Sequence, residues 1–66
     1  MKPVWSGRYV EIVPGVVFGR RGYVLRYKDD KRVIEFLTNL NRLIQIGKKE
    51  DQVIAKYRRV FRNFKL

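Results

Sequence analysis

The chain has 66 residues, with 16 lysines and arginines against six acidic residues, and it contains neither cysteine nor histidine. A chain of this length buries only about 60% of its unfolded surface, so we expect one small domain. The missing residue types exclude disulfides, thiol redox chemistry, the common zinc sites and histidine acid–base catalysis. The net charge of +10 favours a polyanionic partner over a merely solvated surface.

The first predicted strand follows a short lead-in over residues 1–7. Trp5 in this lead-in is expected to cap the edge of the core, with stacking on a nucleic-acid base as the alternative. The strand covers residues 8–13, where Val10 and Ile12 fall on one face at a period of two residues.

A segment with three glycines, spaced G-x-x-x-G-x-x-G and ending in Gly22, comes next. Glycine tolerates positive φ and allows close backbone approach, so the spacing predicts a tight loop. Arg20 and Arg21 would lie at its tip, and Phe18 beside a glycine is expected to be exposed. A second strand is predicted over residues 22–28.

The middle of the chain predicts two more strands. A polar turn over residues 28–31 leads into a third strand, 32–37, and a loop then precedes a fourth strand, 43–46, which Gly47 would end. Short strands with turns every eight to ten residues are typical of a small barrel, so the predicted fold class is mainly β. The predicted core is Val10, Ile12, Val24, Ile34, Phe36, Ile44, Ile46 and Val53, with Tyr27 at a strand bend.

The C-terminus changes to a helical period, which predicts an amphipathic helix over about residues 52–64 with Asp51 as its N-cap. Its apolar stripe is Val53, Ile54, Tyr57, Val60, Phe61 and Phe64. The rest of its circumference is basic: Lys56, Arg58, Arg59, Arg62 and Lys65. We expect Tyr57, Phe61 and Phe64 to pack on the barrel, or on a second copy of it. Val53 and Ile54 alternatively form a fifth strand.

The order of these segments resembles the KOW domain at the C-terminus of NusG-type transcription elongation factors, an SH3-like barrel of five strands. The matching motifs are Val10-x-Ile12-x-x-Gly15, Gly19-x-x-Gly22-x-Val24, Val33 to Leu37, Leu40-Asn41-Arg42, Ile44-x-Ile46 and Asp51-Gln52-Val53. The resemblance implies a barrel over residues 8–54, followed by a basic helix over 55–66. Asn41 departs from the family, which has a glycine at this corner.

Catalysis has little support, because most of the six acidic residues fall in predicted turns and the glycine segment lacks the ending of a phosphate-binding loop. We therefore expect no enzyme activity, no cofactor and no metal. The expected function is RNA or DNA binding by an accessory factor of transcription or translation. The expected phosphate contacts are Arg20, Arg21, Lys31, Arg32, Arg42, Lys56, Arg58, Arg59 and Arg62. The first five of these would form one basic rim on the barrel, and the last four would lie on the helix.

The alternative function is protein docking. By the family resemblance, Val17, Phe18 and Leu40 would form an apolar patch that meets a ribosomal protein or a factor associated with RNA polymerase. A homodimer through the C-terminal helix is a further possibility, and a membrane surface is disfavoured. No apolar run approaches the roughly 20 residues of a membrane span, so we expect a soluble, cytoplasmic protein.

Overall fold

The computed structural model describes residues 2–63, with side chains placed for residues 2–57. Its elements are the strands β1 (Trp5–Ser6), β2 (Val10–Val17), β3 (Arg20–Tyr27) and β4 (Val33–Leu37) and the helix α1 (Leu40–Asn63). The strands form one antiparallel sheet in the order β1-β2-β3-β4. A small β-rich fold with a C-terminal helix is thus confirmed. No helix within residues 2–63 is long and apolar enough to cross a membrane.

The helix corrects the prediction for the second half of the chain. Residues 43–46, predicted as a fourth strand of the barrel, are the first turns of α1, and Gly47 lies inside the helix. Asp51, predicted as an N-cap, is also inside it, since α1 begins twelve residues before the predicted start at residue 52. The sheet in residues 2–63 therefore has four strands, because the residues predicted for strands four and five are helical.

The actual N-cap of α1 is Asn39. Its side-chain Oδ1 accepts a hydrogen bond from the backbone amide of Arg42 at 3.2 Å, which satisfies one of the unpaired donors at the start of the helix. The residues that face the sheet recur at three- and four-residue intervals: Leu40, Leu43, Gly47, Asp51 and Ile54. Helical periodicity with a tertiary contact therefore outweighs the short β-like run of Leu43 to Ile46.

The core lies between the sheet and α1. Val10, Ile12, Leu25 and Leu43 are fully buried there. Partly buried side chains pack around them: Trp5, Tyr9, Tyr23, Tyr27, Ile34, Leu37, Leu40, Ile44, Ile46 and Ile54. The prediction was right for Val10 and Ile12 and missed Leu25 and Leu43. The other predicted core residues that pack against this cluster are partly buried: Tyr27, Ile34, Ile44 and Ile46.

Three residues predicted to lie in the core lie elsewhere: Val24, Phe36 and Val53. Leu25 pairs with Ile12 and points into the core, so its neighbour Val24 faces the other side of the sheet, together with its partner Phe36. A one-residue shift of register moves a whole set of side chains to the opposite face. Val53 is 42% exposed, because it points away from the sheet in α1.

The lead-in before β2 is attached to the middle of α1. The Asp51 carboxylate accepts hydrogen bonds from the backbone amides of Arg8 (2.6 Å) and Tyr9 (2.8 Å). Trp5 packs against Gly47 and the core, as predicted for an edge cap. These contacts fix the direction in which the helix crosses the sheet.

Beyond this attachment the helix leaves the sheet. Ile54 still packs on the core, whereas Tyr57 is 62% exposed, so Tyr57 does not pack on the protein's own sheet, and its packing on a second copy stays a prediction. The predicted docking of Phe61 and Phe64 lies outside the described side chains. A helix of 24 residues is about 36 Å long, consistent with the largest dimension of 47 Å.

Candidate nucleic-acid interface

The β2–β3 hairpin extends past the rest of the sheet. On one side β1 pairs only with Glu11 and Ile12, and on the other side β4 ends where Leu37 pairs with Tyr23. Residues 14–22, which we call the hairpin arm, therefore belong to a two-stranded ribbon without further strands on either edge. Three to four residues a strand give the arm a length of about 10–14 Å.

The tip of the hairpin arm is a two-residue turn formed by Phe18 and Gly19, with φ angles of 51° and 77°. Positive φ at both central residues is the signature of the type I′ turn, which matches the twist of a hairpin. Phe18 is fully exposed, at 101% of its reference surface, which confirms the expected exposure. The predicted loop is therefore much shorter than the three-glycine segment suggested.

The two other glycines lie within the strands, where Gly15 pairs with Gly22 across the hairpin. A Cβ added to Gly15 would lie 2.7 Å from Cγ2 of Val24, and one added to Gly22 would lie 2.6 Å from Cζ of Phe36. The glycines thus let Val24 and Phe36 lie across the base of the arm. Their role is close packing, not the formation of a flexible loop.

The hairpin arm carries positive charge and apolar surface together. Arg20 pairs with Val17 and Arg21 pairs with Val16, so the two arginines lie on opposite faces of the ribbon. Both arginines are exposed, and Val16 is 64% exposed. The sequence has no acidic residue between Glu11 and Asp29. The arm therefore presents two guanidinium groups that no carboxylate on the same ribbon neutralises.

An open concavity lies on the helix side of the arm. Its volume is about 700 Å³, and Pro14, Val16, Arg21, Tyr23 and Val4 contribute to its walls. Most of this wall is apolar, and Arg21 places one cation at its rim.

The solvent-exposed side of α1 is the second basic surface. We call the exposed side chains Arg42, Lys48, Lys49 and Lys56 the basic helix face. Arg42, Lys49 and Lys56 recur every seven residues, which aligns them at intervals of about 10.5 Å along the helix. The two acidic residues of the helix, Glu50 and Asp51, are half-buried.

Lys48 and Lys49 were missed by the sequence prediction, because Gly47 was interpreted as the end of a strand. The seven-residue spacing of Arg42, Lys49 and Lys56 was the signal that would have found Lys49, and Lys48 lies next to it.

Lys31 and Arg32 lie at the opposite end of β3 from the arm, so the predicted basic residues do not form one rim. Both are ion-paired: Lys31 Nζ lies 3.4 Å from Glu11 Oε2, and Arg32 Nε lies 3.7 Å from Asp30 Oδ2. Arg42 follows β4 in the first turn of α1 and is therefore at the arm end. Lys56 lies at the far end of the helix.

Glu11 is buried on the face of the sheet that points away from the helix. In addition to Lys31, it contacts Arg26, whose Nη2 lies 2.8 Å from Glu11 Oε2. Burial by itself raises the pKa of this carboxyl, but hydrogen bonds from Arg26 and Lys31, together with their charges, outweigh burial and lower the pKa below its ordinary value. Glu11 therefore stays ionised at neutral pH and binds two basic side chains that would otherwise be available.

The residues of the predicted apolar docking patch differ in their exposure. Leu40 packs against the core, Val17 is half-buried and Phe18 is exposed. Arg58, Arg59 and Arg62 belong to α1, and their side chains lie outside the described part of the chain.

Comparisons with protein-family models, with curated proteins and with solved structures found no match to this chain. The functional argument therefore depends on the geometry and charge of the two basic surfaces.

Proposed function

We propose that the protein is a non-catalytic nucleic-acid-binding accessory factor of transcription or translation. The observation that carries this proposal is the separation of charge. The arm arginines and the basic helix face are exposed and lack a carboxylate on the same ribbon or helix face, whereas three of the six acidic residues are paired within the protein: Glu11 with Arg26 and Lys31, Asp51 with backbone amides and, at the surface, Asp30 with Arg32.

This separation matters because a polyanion is attracted by uncompensated charge. Solubility alone does not require charges of one sign, because a surface with both positive and negative side chains is equally soluble. Arginine can also pair with a phosphate through two parallel hydrogen bonds, which favours Arg20 and Arg21 as phosphate contacts. Arg42 at the start of α1 lies at the same end of the molecule and extends this contact surface.

The proposal is tested by fluorescence anisotropy with a labelled DNA duplex and a labelled RNA at about 50 and 200 mM salt. Contact with about five phosphates predicts that log K falls against log salt with a slope of about −4.5 for duplex DNA and about −3.5 for a single strand. The double variant Arg20→Ala with Arg21→Ala should weaken binding and make the slope less negative by about two.

Arg32→Ala is the matched control, because Arg32 is an exposed arginine that already pairs with Asp30. We expect it to leave the affinity nearly unchanged. Absence of binding at low salt, or an equal loss in the control and the double variant, would refute the proposal.

The relationship to KOW domains stays a prediction. The glycine spacing that motivated it supports a hairpin with closely packed strands, which many folds contain. Membership in that family would place the protein close to transcription or ribosome function, but the proposed polyanion contacts do not depend on it.

Protein docking is the second candidate, favoured by the exposed side chains of Phe18 and Val16 at the arm. A ribosomal protein or a factor associated with RNA polymerase would be the expected partner. Loss of such a partner in Phe18→Asn, with unchanged nucleic-acid affinity, would favour docking. Weaker nucleic-acid binding in Phe18→Asn, with the protein partner retained, would favour nucleic-acid binding. The exposed Tyr57 allows a second copy as partner, which sedimentation analysis tests directly.

A further inference from the structure

The hairpin arm has a feature that neither folding nor net charge explains. Phe18 has a φ of 51° and is fully exposed. The left-handed region is unfavourable for an L-residue other than asparagine or aspartate, and an exposed aromatic ring gains nothing from burial. Asparagine followed by Gly19 would suit this turn better. The ring therefore contributes nothing to the turn, and its place at the tip points to contact with another molecule.

We propose that the preferred ligand is B-form duplex DNA, with the hairpin arm in its major groove and Phe18 against the base edges. This inference rests on the proposed nucleic-acid-binding function. It adds the form of nucleic acid and the part of the protein that recognises it.

The dimensions of the arm support this choice. The major groove of B-DNA is about 12 Å wide and about 8.5 Å deep, and it admits a two-stranded β-ribbon. The arm projects about 10–14 Å beyond the neighbouring strands, which is enough to bring Phe18 to the floor of such a groove. The major groove of an RNA duplex is deep and too narrow for protein side chains to read.

The chemistry of the arm supports the same choice. Arg20 and Arg21 lie on opposite faces of the ribbon, so each faces a different wall of a groove that the ribbon occupies. Arginine pairs with phosphates on the walls or with O6 and N7 of guanine. Phe18 at the tip is an apolar group of the kind that contacts the methyl group of thymine.

Single strands are less well matched by the described sheet. Proteins that bind single strands stack successive bases on several exposed rings. Tyr9, Tyr23 and Tyr27 are instead partly buried against the core, which leaves Phe18 as the fully exposed ring of the sheet residues described.

The test compares the full chain with four ligands of one sequence at one salt concentration: a DNA duplex, the same duplex with uracil in place of thymine, an RNA duplex and a single DNA strand. We expect the DNA duplex to bind tighter than the RNA duplex and the single strand by about tenfold, the value of one good base contact. Loss of the thymine methyl groups should remove part of this advantage. Bound protein should also protect guanine N7 from methylation.

Phe18→Asn is the decisive variant, because it preserves the turn. It should lose the discrimination between thymine and uracil duplexes while it retains affinity for the RNA duplex. Equal or tighter binding of the RNA duplex or the single strand, or unprotected guanine N7, would overturn this inference and leave the proposed function intact. Failure to bind any of the four ligands would overturn both.

Discussion

Trp5 packs against Gly47 in the middle of α1, at a point where the helix has no side chain. A Cβ added to Gly47 would lie 2.8 Å from Cζ3 of Trp5 and 3.2 Å from Cδ1 of Leu25. The glycine therefore lets the indole lie between the helix and β3. Because Trp5 belongs to the lead-in, this contact joins the N-terminal segment to the C-terminal helix.

Gly47→Ala should destabilise the protein. At an unconstrained helix position this change gains up to about 1 kcal/mol, whereas overpacking costs about 1–3 kcal/mol, so we expect a net loss. Chemical denaturation measures the free energy of unfolding. Gln45→Ala, at an exposed position of the same helix, is the control and should change it by less than about 0.5 kcal/mol. A more stable Gly47→Ala variant would contradict the packing of Trp5 against the helix.

Asp51→Ala should also lower stability, because it leaves the backbone amides of Arg8 and Tyr9 without their acceptor. Hydrogen bonds to a charged group are worth about 1.5–3 kcal/mol, and partial exposure to water places the expected loss at about 1–3 kcal/mol. Asp51→Asn keeps one acceptor oxygen and should lose about half as much. Gln52→Ala tests the neighbouring exposed position and should be nearly neutral. Equal stability of all three variants would mean that the Asp51 carboxylate does not anchor the segment before β2 to the helix.

Glu11 predicts a specific dependence of stability on pH. Its pKa in the folded protein is lower than the ordinary value of 4.5, because hydrogen bonds from Arg26 and Lys31 outweigh the effect of burial. Its ionised form therefore stabilises the fold above the unfolded-state pKa, and this contribution is lost as the pH falls through the lower folded-state pKa. We expect the free energy of unfolding to decrease below about pH 5.

Glu11→Gln should remove part of that pH dependence and cost about 1–3 kcal/mol at neutral pH, because two cationic side chains lose their partner. Glu35→Gln, at an exposed position, is the matched control. Thermal unfolding from pH 3 to pH 7 compares the three proteins. An identical pH profile for Glu11→Gln and the original protein would show that this ion pair does not stabilise the fold.

Phe18→Asn should increase stability by up to about 1 kcal/mol, because asparagine tolerates the left-handed conformation better than phenylalanine. Phe18→Ala is the control: it removes the ring but keeps the backbone penalty, so we expect little change. Chemical denaturation distinguishes the two. A loss of stability in both variants would reveal an internal contact of the ring and contradict its role as a free surface group.

The order of the strands in the first half of the fold was predictable from the sequence, but the core-facing side of β3 was not, since Leu25 and not Val24 points into the core. The hairpin strands, the polar turn before β4 and the exposure of Phe18 follow from alternation and turn chemistry. The second half was not, since Leu43 to Ile46 is a short apolar run that fits a strand or a helix. Gly47 was interpreted as the end of a strand. The glycine is needed there because Trp5 packs against it, and a contact between residues so far apart in the chain leaves no local sequence signal.

The candidate site was predictable in composition but not in arrangement. Arg20, Arg21 and Arg42 lie at one end of the molecule, as the prediction of a basic rim required. Lys31 and Arg32 were assigned to the same rim, yet the length of β3 separates them from the arm. Their acidic partners, Glu11 and Asp30, were recognisable as carboxylates, but the contact of Glu11 with Lys31, 20 residues along the chain, arises only in the folded hairpin, where the strand register also pairs Glu11 with Arg26.

The most direct test of nucleic-acid binding through the arm and the basic helix face is NMR chemical-shift mapping. Labelled protein would be titrated with a DNA duplex, and the backbone amide shifts followed residue by residue. We predict the largest shifts at residues 16–21 and along the exposed face of α1, around Arg42 and Lys49, with little change at residues 28–32. Largest shifts at residues 28–32, or none in the hairpin arm, would contradict the account.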